Sequence, residues 1–181
     1  MLALLLTALP SAPLHDAAKE GSLTRVKELL GDGADLEAVA EYGRTALHEA
    51  ADSGHAEVAA LLLSHGATVD PADADGLTPL HDAVYTGRAE VVTLLLEKGA
   101  DASSKDGNGR TSLHRAAYHG LIQIAEKLVS FGADPVAADA DGRTPKDIAT
   151  LGQEPAMAEW LEQQAEAIGA DSASRGTKEE L

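Results

Sequence analysis

Four histidines recur at one fixed interval, and their spacing suggests chemistry more strongly than that of any other residues. Each follows a leucine, and successive copies are 33 residues apart, at His15, His48, His81 and His114. Histidines that share one face of a protein can bind a metal ion or transfer protons. Packed helices in successive layers, however, lie about 8–10 Å apart, whereas zinc binds each imidazole nitrogen at about 2 Å. The interval therefore favours a structural role over a shared metal site.

The sequence lacks the other common catalytic arrangements. It has no cysteine, which excludes thiolate nucleophiles, disulfides and zinc–sulfur sites. It also has no nucleophile-elbow serine with ordered triad partners and no phosphate-binding Gly-x-x-x-x-Gly-Lys loop. Asp75, Asp106 and Asp141 lie in turn sequences, but the ligand pattern of a calcium loop is missing around them. We predict no catalytic residue, no metal site and no cofactor, and hence a protein that is not an enzyme.

The elements that position the histidines follow the same 33-residue interval. The interval orders helix-capping threonines at Thr45, Thr78, Thr111 and Thr144, helix-ending glycines at Gly21, Gly54, Gly87 and Gly120, and turn glycines at Gly43, Gly76, Gly109 and Gly142. A threonine hydroxyl can cap the first free amides of a helix, and glycine can end a helix in the left-handed conformation without a Cβ penalty. These signals predict short first helices over residues 46–53, 79–86 and 112–119.

A second helix follows each short helix. Its apolar residues recur at intervals of three and four, as in Val91, Leu94 and Leu95, which is the pattern of a buried helical stripe. The sequence also suggests an ion pair between Asp82 and Arg115 in neighbouring repeats. His55 and His65 lie at the two ends of a second helix, and we expect both to be solvated.

A motif of Thr-Pro-Leu-His between two glycines, complete at residues 76–87, resembles the ankyrin repeat. The resemblance implies an all-α repeat fold, an ankyrin solenoid of stacked helix-turn-helix units with β-hairpin loops. Five repeats are predicted, over residues 10–42, 43–75, 76–108, 109–141 and 142–167. In the fifth, Lys146 and Asp147 replace the leucine and histidine, and more polar residues follow, as a terminal repeat requires.

Two terminal segments flank the predicted repeat domain of residues 10–167. The apolar segment 1–9 is either a cap on the first repeat or part of a secretory signal over residues 1–12, although it lacks a basic start and a clear cleavage site. Residues 168–181 are predicted to be a disordered polar tail. Lys178–Leu181 resembles an endoplasmic-reticulum retention signal, which would matter only if the chain enters that compartment. We expect a cytoplasmic protein, with the lumen of the endoplasmic reticulum as the alternative.

The charge of the chain restricts its partners. The formal net charge is −16, which argues against binding to nucleic acid or to an anionic membrane surface. We expect a monomer that binds a protein partner with a neutral or basic surface. Two alternatives remain: a regulatory or inhibitory subunit of an enzyme, and an adaptor in the lumen of the endoplasmic reticulum.

The resemblance also implies where a partner would bind. Ankyrin repeats use residues around the turn glycine and residues at the end of the first helix. Here those positions are Tyr42, Arg44, Leu77, Tyr85, Thr86, Asn108, Arg110, Tyr118, His119 and Arg143. All three tyrosines of the chain are among them, and tyrosine is enriched in residues that dominate binding energy. The alternative is that Tyr85 and Tyr118 only stack on each other.

Overall fold

A computed structural model describes residues 13–176. The chain divides into two compact units, which we call unit 1 (through Ala100) and unit 2 (from Asp101). The apolar segment 1–9 and the retention-like peptide Lys178–Leu181 lie outside the described residues.

Unit 1 consists of three helix pairs. The helices are α1 Pro13–Lys19, α2 Leu23–Gly31, α3 Ala46–Ser53, α4 Ala56–Ser64, α5 Pro79–Tyr85 and α6 Ala89–Glu97. The first helices pack side by side in the order α1, α3, α5, and the second helices α2, α4 and α6 pack in the same order. A short 3-10 turn over Glu41–Gly43 precedes α3.

Unit 2 contains two further helix pairs. They are α7 Ser112–Tyr118 with α8 Ile122–Ser130, and α9 Pro145–Leu151 with α10 Pro155–Gly176. The first helices α7 and α9 pack together. The three first helices predicted from the capping pattern are confirmed, and each ends within one residue of its expected position.

The last helix is longer than the sequence analysis predicts. We expected a disordered tail over residues 168–181, whereas α10 continues through Gly176. Gln163, Gln164, Ala165 and Glu166 are good helix formers and leave no signal that would end the helix at residue 167.

The core repeats with the sequence. Small residues at equivalent positions of the first helices are fully buried, at Ala17, Ala50, Ala83, Ala116 and Ala149. Leucines at equivalent positions of the second helices are also buried, at Leu62, Leu95, Leu128 and Leu161. Burial of one leucine side chain stabilises a fold by about 1.5–3 kcal/mol, so these repeated leucines contribute substantially to the stability of each layer. In the part of the chain that the structure describes, no helix has the length and apolarity needed to cross a membrane.

The loops between helix pairs project as short fingers. Each finger closes on itself with a backbone hydrogen bond, for example from Asp73 N–H to the carbonyl of Leu77 at 2.9 Å and from Asp139 N–H to that of Arg143 at 2.9 Å. Within residues 13–176, one isolated antiparallel β-bridge is formed, between Lys105 and Thr111. The fingers therefore have hairpin connectivity, but they are tight turns rather than extended two-stranded ribbons.

Candidate functional site

The repeated histidines are bonded into the scaffold. His48 Nδ1 lies 3.1 Å from the backbone nitrogen of Thr45 and 3.0 Å from its hydroxyl oxygen. The other ring nitrogen, Nε2, lies 3.0 Å from the carbonyl oxygen of Leu77 in the next repeat. Since the Thr45 N–H donates to Nδ1, the proton of the neutral ring is on Nε2, which donates to Leu77. His48 therefore caps its own helix and fixes the next finger.

Unit 2 repeats this arrangement at His114. Its Nδ1 accepts a hydrogen bond from Thr111 N–H at 3.1 Å, and its Nε2 lies 3.1 Å from the carbonyl oxygen of Arg143. Burial lowers the pKa of both His48 and His114, because desolvation disfavours the imidazolium form. A neutral ring is also the form that this hydrogen-bond pattern requires.

The fifth repeat modifies the cap. In the fifth repeat, Asp147 takes the place of histidine, and its carboxylate accepts hydrogen bonds from the Thr144 N–H and hydroxyl, both at 2.8 Å. These two donors lower the pKa of Asp147. Among residues 13–167, whose side chains the structure describes, no three His, Asp or Glu side chains form a group suited to a metal ion.

An aspartate shapes each of the last three finger tips. Asp73 Oδ1 accepts hydrogen bonds from the backbone N–H groups of Asp75 and Leu77, both at 2.9 Å. Equivalent bonds hold the tips at Asp106 and Asp139. Burial alone would raise the pKa of Asp106 and of Asp139, but the backbone donors and nearby arginines lower the pKa of Asp106 and hold that of Asp139 well below its usual range.

The first finger of unit 1 is built differently. Ala40 stands where the later fingers have aspartate, and Tyr42 adopts a left-handed conformation, with φ 59° and ψ 18°. Its carbonyl oxygen accepts a hydrogen bond from Ala74 N–H in the next finger at 2.7 Å. A left-handed conformation costs a bulky residue about 1–2 kcal/mol relative to glycine or asparagine.

All three tyrosines are exposed. The exposed fraction is 73% for Tyr42 at the tip of the first finger, 57% for Tyr85 at the end of α5 and 52% for Tyr118 at the end of α7. These exposed rings lie at a finger tip and at first-helix ends, whereas most of the apolar stripe of the second helices is buried in the core.

Comparison with known families agrees with this architecture. A family model of ankyrin repeats (3 copies) matches residues 14–106, and a second model of ankyrin repeats (many copies) matches residues 95–149. The chain belongs to the ankyrin repeat family. Ankyrin repeats are generally protein–protein interaction modules and are typically non-catalytic. No curated protein matches the chain.

Arg44 is the centre of a charged cluster in the ankyrin repeats of unit 1. Its Nε donates to Glu49 Oε1 at 2.8 Å, its Nη1 donates to Asp82 Oδ2 at 2.9 Å, and Asp73 Oδ2 lies 3.9 Å away. The Arg44 side chain is only 19% exposed, so its guanidinium is used mainly within the protein. Asp82 is bonded to Arg44, and Arg115 to Asp106 at 2.9 Å. The expected pair between Asp82 and Arg115, which would join the two units, stays a prediction.

The pKa of Asp82 is raised although Arg44 is bonded to its carboxylate. Burial raises the pKa of Asp82 to about 7, and the nearby charges of Asp52 and Asp73 add to the rise, while Arg44 opposes it. One guanidinium shared among several carboxylates thus offsets only part of their negative charge.

The arginines of unit 2 are balanced by aspartates. Arg110 Nε and Arg143 Nε both contact Asp139 Oδ2, at 3.4 Å and 3.0 Å. Of the other predicted binding residues in unit 2, Asn108 and His119 are exposed, and the His119 ring stands edge-on to Tyr118 with centroids 5.1 Å apart.

Leu77 and Thr86, which the sequence also places at the binding positions of unit 1, are half-buried. The Leu77 carbonyl bonds His48, and the Thr86 hydroxyl donates to the carbonyl of Asp82 at 3.0 Å. Both residues thus also hold the scaffold.

The sequence analysis missed Leu151. It stands 33 residues after Tyr118, at the end of α9, and is 60% exposed. The 33-residue register that places Tyr85 and Tyr118 at first-helix ends also reaches Leu151, but the fifth repeat lacks the leucine-histidine pair that marks this position in the earlier repeats. His55 also differs from expectation, because its Nε2 lies 3.0 Å from the carbonyl of Lys19 at the end of α1 and is not simply solvated.

Proposed function

We propose that the protein is a non-catalytic binding module that holds a protein partner against its finger tips and first-helix ends. The observation that carries this proposal is the exposure of Tyr42, Tyr85, Tyr118 and Leu151 at these positions. Tyrosines dominate many protein interfaces because a large ring loses little conformational entropy on binding.

The conformation of Tyr42 adds to this argument. A bulky side chain in the left-handed region is unfavourable, and the later fingers avoid it with an aspartate-closed turn. An exposed tyrosine makes no contribution to the core that would offset this cost. A contact between the ring and a partner would offset this cost.

The test uses one double variant in each unit, Tyr42→Ala with Tyr85→Ala and Tyr118→Ala with Leu151→Ala. A partner obtained by affinity purification is titrated against each variant in isothermal calorimetry. We expect each pair to weaken binding by about 2 kcal/mol or more if its unit contacts the partner, as hot-spot residues do. At least one pair must have this effect.

Phe131 and Val136 provide the matched control. Both are exposed apolar residues of unit 2, but they lie at the end of a second helix and in the loop after it. Changing both to alanine removes a similar exposed apolar area and should leave affinity within about threefold of the wild type. Loss of binding in this control, with both test variants unaffected, would place the partner elsewhere.

A further inference from the structure

The binding positions of unit 1 carry more negative charge than their basic residues offset. We call this surface the unit 1 face, and it comprises Glu41, Tyr42, Arg44, Glu49, Asp52, Asp73, Asp75, Asp82 and Tyr85. Arg44 is already bonded to Glu49 and Asp82 and lies near Asp73. Among the residues that the structure describes, Glu41, Asp52 and Asp75 form no ion pair.

Two other cations lie at the edge of this face without neutralising it. Arg88 Nε donates to the backbone carbonyl of Asp52 at 3.3 Å rather than to its carboxylate. Lys19 is exposed at the end of α1. Among residues 13–167, neither forms an ion pair with a carboxylate.

The corresponding positions of unit 2 have no such excess. Asp106, Asp139 and Asp141 are matched there by three arginines, which are bonded to them at Arg110, Arg115 and Arg143. The negative charge is therefore a property of unit 1 and not a general feature of the repeats. Burial and the neighbouring carboxylates raise the pKa of Asp82, which is consistent with a face where carboxylates outnumber arginines.

The unpaired carboxylates lie in register with the exposed tyrosines. Tyr42 and Asp75 occupy equivalent tips of consecutive fingers, and Asp52 and Tyr85 occupy equivalent ends of consecutive first helices, each pair 33 residues apart. Each row thus combines one aromatic ring with one carboxylate. A guanidinium can stack on a tyrosine ring and pair with a carboxylate, and it does both better than an ammonium group.

We propose that the unit 1 face binds an extended, arginine-containing basic segment of the partner protein. This inference rests on the proposed function and specifies the chemistry of the partner. Consecutive repeats place equivalent residues about 8–10 Å apart, the separation of packed helices. An extended chain covers that distance in about three residues at 3.3 Å each, so arginines at every third position match the rows.

The experiment titrates the full chain with synthetic peptides and follows backbone amide shifts by NMR. The probe peptide has arginine at every third position and serine and glycine between. A second peptide has the same composition with adjacent arginines, and a third has glutamine in place of arginine. We expect the spaced arginine peptide to bind most tightly, with shifts at Tyr42, Asp52, Asp75 and Tyr85, and the glutamine peptide not to bind.

Two triple variants distinguish a local effect of the unit 1 face from an effect of the protein's net charge. Glu41→Gln, Asp52→Asn and Asp75→Asn remove three charges from the unit 1 face, whereas Glu57→Gln, Glu90→Gln and Glu97→Gln remove three exposed charges from α4 and α6. The first variant should bind the spaced peptide at least about tenfold more weakly, and the second should change affinity less than about threefold.

Equal losses in the two variants, or equal affinity for the glutamine peptide, would overturn the proposal. Equal affinity for the peptides with spaced and with adjacent arginines would overturn the claim that arginines at every third position match the repeats. None of these results would bear on the proposed function, which fails if the tyrosine and leucine variants leave binding of the natural partner unchanged.

Discussion

Individual residues explain why a motif rich in histidine is structural in this protein. Both ring nitrogens of His114 are used in hydrogen bonds that join Thr111 at the start of one helix to Arg143 in the next finger. A metal ion would have to displace one of these bonds. The role of the histidine is to satisfy buried backbone groups, which are costly to leave unpaired.

His114→Ala should therefore lower the free energy of unfolding by about 2–4 kcal/mol, because it leaves the Thr111 N–H and the Arg143 carbonyl without partners and creates a cavity. Urea denaturation followed by circular dichroism measures the change. His65→Ala is the control, since His65 is exposed and bonds only within its own helix. It should cost less than about 0.5 kcal/mol. A similar loss in both variants would contradict the scaffold role.

Asp82 makes stability depend on pH in a direction opposite to that of an ordinary ion-paired carboxylate. Its pKa rises from 3.8 to about 7 on folding, so between these values the folded state holds a proton that the unfolded state has lost. The stability of the wild type should thus fall relative to Asp82→Asn as pH rises from 4 to 7, by about 1 kcal/mol per unit. Denaturation of both proteins at pH 5, 6, 7 and 8 measures the difference.

Asp106 is the control for this measurement. Hydrogen bonds from Arg110, Asn108 and Arg115 outweigh burial and lower the pKa of Asp106, so it stays ionised in both states above pH 5. The difference between wild type and Asp106→Asn should be constant from pH 5 to pH 8. If the Asp82→Asn difference is equally constant, the shift assigned to Asp82 is wrong.

At the scale of elements, two residues occupy the left-handed region without being glycine. Tyr42 has φ 59° in the first finger, and Gln153 has φ 60° where earlier first helices end in glycine. Tyr42→Asn and Gln153→Gly should each raise stability by up to about 1 kcal/mol, because they relieve the same kind of strain. Only Tyr42→Asn should weaken partner binding. Thermal unfolding and calorimetric titration of both variants test this separation of stability from function.

The junction between α9 and the preceding repeat depends on a glycine for space. A Cβ at Gly152 would lie 2.3 Å from the carbonyl oxygen of Tyr118, whereas a Cβ at Gly31, at the end of α2, would meet nothing within 4 Å. Gly152→Ala should destabilise the protein by about 1–3 kcal/mol, and Gly31→Ala should stabilise it by up to about 1 kcal/mol. Equal effects in thermal unfolding would show that this close approach is not required.

The helices could be predicted because their signals are local and repeated. Thr45 and Gly54 bracket α3 in the sequence as they do in the structure, and each copy of the motif reinforced the others. The partners of Arg44 could not be predicted in this way. Several carboxylates lie within reach of one guanidinium, and the direction of each side chain decides which of them it meets. The register extends to Leu151, but the sequence analysis did not include it, because an apolar residue in an altered motif gives no reason to expect exposure.

At the scale of the whole molecule, the repeats share their scaffold residues and differ at their surface positions. Threonine, histidine, leucine and glycine recur and build the scaffold, while the finger tips and first-helix ends vary from copy to copy. The variation is not uniform: among the described residues, Glu41, Asp52 and Asp75 of unit 1 form no ion pair, whereas unit 2 pairs its finger-tip aspartates with arginines. A chain with a net charge of −16 can attract basic partners at long range, but only local differences of this kind can direct one to a particular face.

The most direct measurement is amide hydrogen exchange of the full chain with and without its purified partner. If the partner lies on the finger tips and first-helix ends, protection should increase at residues 40–44 and 73–77 and at the ends of α5 and α7. The second helices α4, α6 and α8 should exchange as in the free protein. Protection confined to those second helices, with the fingers unchanged, would contradict the central claim.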